Sequence, residues 1–381
     1  MSSVITCSWK ERVNTRVFRS GVSLHSHTNQ SKETLNFIAA MGNKIPWLEK
    51  FVRSREEKCA GEYGLKLDFD RAYWTPPLTP MQSLDLERGQ IENGLQLSGM
   101  VSISDHDDIN APLLLRATNA AEDLPISVEW SAPFGTTTFH LGIHNLPAGT
   151  CQQWMARMEA MTATPNEQEL RSILAELHEI KQVLIIFNHP LWDLYDIGAE
   201  RHLIEVERFL RDCGGFVHAL ELNGLRNWHE NRDVIALAGR WGMLLISGGD
   251  RHGTEPNANV NLTRATSFAE FVQEVRVERV SHVHFMPQYA EPWKHRVLES
   301  TLAAIRNYPE FPEGSRRWDE RVFHPDANGV MQPVSAMWQK GRAPWYIGAS
   351  LTAVRMMGSA PFWHGLRMAW SEAEPEFKLA E

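Results

Sequence analysis

The chain is sparing with cysteine, with positive charge and with long apolar runs, and each shortage narrows what it can be. Its four cysteines (Cys7, Cys59, Cys151 and Cys213) are scattered and form no Cys-x-x-Cys pair. That argues against a disulfide framework or a thiolate zinc site and leads us to expect a reducing, cytoplasmic setting. No stretch reaches the roughly 18 uninterrupted apolar residues of a spanning helix. Residues 345–370 come nearest, but Arg355, Pro361 and Arg367 interrupt them. A helix pair packed on the main domain is expected there, rather than a membrane-surface anchor. Lys10, Glu11, Arg12 and Arg16 break up the N-terminus, so no signal peptide is expected. The net charge is −9 and there is no basic run. This counts against a long nucleic acid as partner, while a local basic pocket is still allowed.

What is present is a soluble-protein composition, 43% hydrophobic and 22% charged over 381 residues. That length suffices for one large α/β barrel or two ordinary domains. Residues 100–104, 126–130, 137–144, 183–187, 217–222 and 243–246 read as short apolar strands. Residues 111–121, 152–161, 167–180, 200–212 and 231–241 have helical spacing, as do the apolar positions of 36–59. Strands alternating with helices predict a parallel sheet covered on both faces, and in an α/β barrel the strand ends gather at one mouth. Two segments break the rhythm. Residues 61–82 contain Trp74-Thr75-Pro76-Pro77-Leu78-Thr79-Pro80, predicted to be a stiff loop in a flap inserted over about residues 40–98. Residues 286–381 hold six of the 14 tryptophans without strand–helix alternation. They are expected to form a mainly helical or irregular C-terminal extension packed on a domain of residues 1–285.

The run Ser23-Leu24-His25-Ser26-His27-Thr28 follows an apolar stretch. Residues i and i+2 of a strand share a face, so both imidazoles can converge on one cation. Alone, the pattern is more often two polar residues on a half-buried strand than a metal site. Other strand ends add His106, Glu129, His140, His189, Asp250 and His252. Any one of these could be an ordinary core residue. Six imidazoles and two carboxylates at one mouth, however, need cations to hold them.

Taken in order, His25-Ser-His27-Thr, Ser104-Asp105-His106-Asp107, Val128-Glu129, His140-Leu-Gly, Asn188-His189-Pro190 and Gly249-Asp250-Arg-His252 resemble the PHP (polymerase and histidinol phosphatase) family of metal-dependent phosphoesterases. The likeness runs over residues 15–255 or so. It implies a distorted (β/α)7, TIM-like barrel with two or three divalent ions (Mn, Fe or Zn). It also implies hydrolysis of a small phosphorylated metabolite or nucleotide by metal-activated hydroxide. By this resemblance one ion sits between His25, His27, Glu129 and Asp250. A second uses His106 and His252, and a third uses His140, His189 and a bridging Glu129. The family usually follows its first His-x-His-Thr with Ser-Asp or Ser-x-His. Here Ser31-Lys32-Glu33 stands instead, so Glu33 is expected to ligate the second ion. The interval from His27 to His106 is longer than is usual in the family, which makes the proline-rich flap an insertion.

Around these ligands, Asp105 and Asp107 are expected to orient His106 or a bound water. Arg251 either serves structure or turns in to hold an anionic group. His229, after Glu221-Leu222-Asn223, is either a general acid or a solvated loop residue. Arg71, Tyr73 and Trp74 could cover an organic portion of the substrate, whereas His144, His218 and His282-Val-His284 read as structural. Two rivals stand beside the phosphoesterase. An amidohydrolase-type barrel acting on a lactone or amide also opens with His-x-His, but it ends on a lone Asp and often uses a carboxylated lysine. A non-catalytic, metal-stabilised PHP scaffold would have lost several ligands. Substrate, metal identity and oligomeric state are not legible.

Overall fold

The computed structural model describes residues 2–10, 15–35, 54, 57, 61, 68–118, 121–338 and 341–369. The helical spacing over 36–59 and part of the expected flap lie outside the described residues. Strands β1 (Ser2–Cys7), β2 (Ser20–Leu24), β3 (Glu33–Thr34) and β4 (Tyr73–Trp74) lead to helix α1 (Pro80–Leu95). There follow β5 (Ser98–Ser102), α2 (Asn110–Ala117), β6 (Val128–Phe134), β7 (Thr137–His144), α3 (Cys151–Ala163), α4 (Glu167–Glu179), β8 (Leu184–Phe187) and α5 (Ala199–Cys213). Next come β9 (Ala219–Asn223), α6 (Trp228–Trp241), β10 (Leu244–Gly248), β11 (Asn259–Thr263), α7 (Phe268–Gln273) and β12 (Val280–Phe285). The C-terminal part adds α8 (Trp293–Ile305), β13 (Val322–Pro325), β14 (Met331–Pro333), α9 (Val334–Met337), α10 (Trp345–Met357) and α11 (Ala360–Ala369).

Two five-stranded sheets carry the core, in the orders β1-β12-β11-β2-β5 and β10-β9-β8-β7-β6, beside a small sheet β14-β13-β4-β3. The large sheets are mixed, not parallel as the alternation predicts. Gly135 and Thr136 alone separate β6 from β7, too short for a parallel crossover. A hairpin results, with Gly135 at φ +56°. β7 then runs antiparallel to β8, and β11 antiparallel to β2 and β12. At the strand ends the large sheets are laced at both edges. Gly249 N donates to Leu24 O (3.1 Å), Asp250 N to His25 O (2.7 Å) and His27 N to Arg251 O (2.9 Å). On the other edge, Glu129 N donates to Asp105 O (3.1 Å) and Asp107 N to Glu129 O (2.9 Å).

β8, Leu-Ile-Ile-Phe, is wholly buried, as expected of a central strand. Against this layer α5 presents His202, Val206, Phe209, Leu210 and Cys213, one helical stripe. Gly248 keeps β10 smooth where Glu221 of β9 passes; a Cβ there would overlap the Glu221 carboxylate. The tandem helices α10 and α11 occupy the tryptophan-rich tail. Among the described residues no helix is long and apolar enough to cross a membrane.

The proline run is only partly loop. Thr79 caps α1 by accepting from Gln82 N, Gln82 reciprocates, and Pro80 takes the first turn, where a missing N–H costs nothing. Helix α1 then docks through a buried polar knot. Arg251 Nε donates to Glu87 Oε1 (2.6 Å), and its other nitrogens to Ser83 Oγ (2.5 Å) and Gly253 O (2.6 Å). Ser23 Oγ and Asn257 Nδ2 hold the second Glu87 oxygen. Its guanidinium is taken up by Glu87 and Ser83 of α1 and by the Gly253 carbonyl, which gives Arg251 a structural role. Arg251→Met strands a carboxylate in the interior. We expect it to lower the unfolding free energy in urea by about 3–5 kcal/mol, against little change for a surface control such as Arg232→Met.

Candidate metal centre

At the strand ends the backbone twists to bring side chains inward. β2 stops at Leu24, and His25 adopts φ +62°. His25 and His27 therefore share a face through a left-handed kink, not by simple continuation of the pleat. Their rings lie 5.1 Å apart. Asp250 (φ +53°) and His189 (φ +25°) are bent in the same sense after β10 and β8. Glu129 and His140 are not at strand C-termini as expected. Glu129 is the second residue of β6, which runs on to Phe134, and His140 lies mid-strand because β7 runs the opposite way.

Glu129 is the hub. Its Oε2 lies 2.8 Å from His25 Nε2, 3.3 Å from His27 Nε2 and 3.3 Å from His106 Nδ1. Its Oε1 lies 3.1 Å from His189 Nε2 and 3.4 Å from His140 Nδ1, and accepts from Asn188 Nδ2 at 2.9 Å. Asp250 Oδ1 is 3.5 Å from His25 Nε2, 3.6 Å from His27 Nε2 and 3.5 Å from His252 Nδ1. Glu33 Oε2 faces His252 Nε2 (3.1 Å) and His106 Nε2 (3.3 Å), and Glu33 Oε1 lies 3.6 Å from His27 Nδ1. All nine expected ligands are thus in one place. Four ligand groups can be drawn with donor atoms within 4.8 Å of one another: His27/Glu33/His106/His252, His25/His27/Glu129, His25/His189/Asp250 and His106/Glu129/His140.

Two tests favour cations here. Donors each about 2.0–2.2 Å from a shared ion lie about 3–3.5 Å from each other, the spacing seen. In addition, His25 Nε2, His27 Nε2, Glu129 Oε2 and His140 Nδ1 are buried and make no hydrogen bond, a costly state unless something else satisfies them.

The electrostatics agree. Burial opposes ionisation of Glu129, yet the charges of His25, His106 and His140 hold its pKa well below the carboxylate range. Asp250 and Glu33 are lowered in the same way against burial, chiefly by His25 and His252 respectively. Burial likewise opposes the His106 proton, but Glu33 and Glu129 outweigh it and raise the pKa to about 10. His27 is driven the other way, to about 3, by burial and by the charge on His252.

Behind the ligands lies a layer that sequence reasoning missed. Glu221 Oε1 is 2.6 Å from His25 Nδ1, while Oε2 accepts from His189 N (2.8 Å) and Asn223 Nδ2 (2.9 Å). Asn223 also donates to Asp250 Oδ2 (3.1 Å). An acid inside an otherwise apolar strand was the signal. Arg226 is a second omission. Its guanidinium stacks 3.9 Å over Trp192, 3.9 Å from Asp250 Oδ2, with Nε 3.8 Å from Glu230 Oε1. The Trp192 ring meets His189 (4.9 Å) and His140 (5.8 Å) edge-on, and all three line a shallow pocket with Asn188 and Leu194.

The remaining expectations fall elsewhere. Asp105 accepts from Thr28 N (2.5 Å) and Thr28 Oγ1 (2.8 Å), so it braces the loop after His27 and not His106. Burial raises its pKa to about 7. Asp107 is exposed and accepts from Ser131 N (2.8 Å). His229 is exposed on the first turn of α6 and is not brought to the cluster. Arg71 bonds Gly329 O (2.8 Å), while Trp74 lies 6.2 Å from His252. His144 is buried against Ser102 Oγ (2.8 Å), with a pKa pushed down to about 3 by burial.

No family model matches the chain, and no curated protein matches it. Among solved structures, a proposed metal-dependent phosphoesterase from Bifidobacterium adolescentis is similar at 16% identity and a TM-score of 0.31, covering 52% of this chain and 91% of that one. PsfC from Pseudomonas syringae is similar at 15% identity and a TM-score of 0.37, covering 58% and 87%. An amidohydrolase from Chromobacterium violaceum, with sulfate and no metal bound, is similar at 17% identity and a TM-score of 0.30, covering 59% and 93%. Likenesses this remote carry no weight, and the functional reading rests on side-chain geometry.

Glu221→Gln keeps the shape but weakens the grip on His25. We expect the affinity for manganese to fall about 10–100-fold in calorimetric titration. Because protons on His25 and His106 must leave before a cation enters, binding should release protons in buffers of differing ionisation enthalpy. Below the histidine pKa values, apparent affinity should rise about tenfold per pH unit for each proton displaced.

Proposed function

We propose that this chain is a metal-dependent hydrolase of small phosphate esters. In this reading the two laced sheets make one distorted seven-stranded barrel of the PHP kind, β2-β5-β6-β7-β8-β9-β10, with residues 286–381 packed against it. The observation that carries the reading is the split allegiance of Glu129. One oxygen faces His25, His27 and His106, and the other faces His140 and His189. A carboxylate so placed suits a bridge between two divalent ions. Such ions, when bound, would make water acidic near neutral pH and offset the charge of a phosphoryl group.

The protein's own residues do the rest. Glu221 fixes the Nδ1 proton of His25, leaving the Nε2 lone pair aimed at the hub. Asn188 and Asn223 orient Glu129 and Asp250 by donating to the oxygens that face away from His25. Arg226, held flat on Trp192 beside Asp250, offers a cation next to the cluster that would suit an anionic substrate oxygen. An anionic ester suits this cation better than a neutral lactone or amide does.

Manganese-loaded protein assayed against phosphomonoesters, phosphodiesters and lactones should release phosphate from the monoesters. Turnover of lactones alone would overturn the phosphoesterase reading. Arg226→Met should raise KM for the best ester about 10–100-fold while kcat changes little, since a charged hydrogen bond contributes about 1.5–3 kcal/mol.

A further inference from the structure

We propose that the C-terminal extension is part of the metal centre: through the small sheet it positions Glu33, and with it the outer ligand group His27/Glu33/His106/His252. Phe323 and Arg321 are the positioning residues. The inference rests on the metal-dependent reading above.

Glu33 lies on β3, an edge strand of two residues, too short to hold a shape unaided. Its partner across the ladder is Trp74, and Trp74 in turn pairs with Val322 of β13. One residue on, Thr34 pairs with Tyr73 and Tyr73 with Phe323. The rings of Tyr73 and Phe323 stack at 4.9 Å with planes 14° apart. Thr75 N donates to Arg321 O at 2.8 Å, and Asp68 N to His324 Nε2 at 2.8 Å.

Arg321 is itself anchored. Its buried guanidinium donates to the carbonyls of Ala304 (2.8 Å) and Arg306 (2.7 Å) at the end of α8 and of Ser315 (2.7 Å) in the segment that follows. A continuous chain of contacts therefore runs from α8 through Arg321 and β13 to β4, and from there to Glu33. The same strand reaches a second outer ligand, because the Trp74 ring lies 6.2 Å from that of His252. The inner group His25/His189/Asp250 hangs instead on the ends of β2, β8 and β10. Disturbing β13 should loosen the outer group and spare the inner one.

The test is manganese binding by calorimetry and elemental analysis, comparing wild type with Glu33→Gln, Phe323→Ala and Phe323→Leu. Phe323 is half-buried, so both of its variants should fold, which near-UV circular dichroism checks. We expect Glu33→Gln to lose or weaken one equivalent. Phe323→Ala should weaken that same equivalent about tenfold or more, leaving the tighter binding unchanged, with Phe323→Leu between the two. Wild-type binding by Phe323→Ala alongside impaired Glu33→Gln overturns the positioning role alone. Unchanged binding in Glu33→Gln removes Glu33 from the ligands and overturns the inference with it. A wild-type protein that takes up no manganese sinks the metal reading itself.

Discussion

A carboxylate with no solvent exposure, ringed by five imidazoles, is the constraint on which the rest of the centre depends. Glu129 cannot stay ionised there without positive charge, since an unpaired buried carboxylate is far too costly. Protons on the histidines supply only part of the answer. His25 and His106 can keep theirs because carboxylates crowd them, but His27 is driven to about 3 by burial and by His252. The ring cannot be fully protonated. Divalent cations resolve the conflict, because they bring charge to Glu129 while using the imidazole lone pairs that protons would otherwise occupy.

The backbone bears a cost for this arrangement. His25, Asp250 and His189 all sit at positive φ, a region that side-chain-bearing residues visit at about 1–3 kcal/mol each. The strain persists because the surroundings over-determine it. Asp250 N is bonded to His25 O, Gly249 N to Leu24 O, and His189 N to Glu221. Lacing between β2 and β10 thus does two jobs, joining the sheets and holding the kinks that aim the ligands. Glu221 links both jobs, since it touches one ligand through its ring and another through its backbone.

Much of this was legible in the sequence and some was not, for physical reasons. His25, His27, His106, His189, Asp250 and His252 sit in short strand-end runs whose residue types point to cations, and Glu33 stood where the pattern lacked a ligand. Each piece could be read locally. Glu221, Glu87 and Arg226 could not, because the partners that matter here, His25, Arg251 and Asp250, are 24 to 196 residues away in sequence and an isolated acid in an apolar strand carries no local signature of its partner. Arg251 stayed between a structural and an anion-binding role for the converse reason: its neighbours in sequence are ligands, while its partner, Glu87, lies on α1. The capping pair Thr79 and Gln82 was hidden by the surrounding prolines, although Pro80 belongs naturally in a helix's first turn. The hairpin between β6 and β7 was hidden because the strand at 126–130 read as leaving a gap of six residues before 137, whereas β6 runs on to Phe134 and leaves a gap of two.

The mixed sheet has a consequence for access. Because β7 runs against its neighbours, His140 reaches the hub from mid-strand, and the shallow pocket beside it opens against Trp192 and Leu194. The outer ligands His106 and His252 keep 14% and 15% of their side-chain surface, whereas His25, His27 and Glu129 keep 1% or less. The cluster is therefore more open on the side of His106 and His252, while Arg226 lies against Asp250 and Lys32 lies 5.7 Å from the Tyr73 ring centre. Exposure follows the strands behind each group: Glu33 and Trp74, beside the half-open His106 and His252, belong to the small sheet, whereas the buried His25, His189 and Asp250 follow β2, β8 and β10.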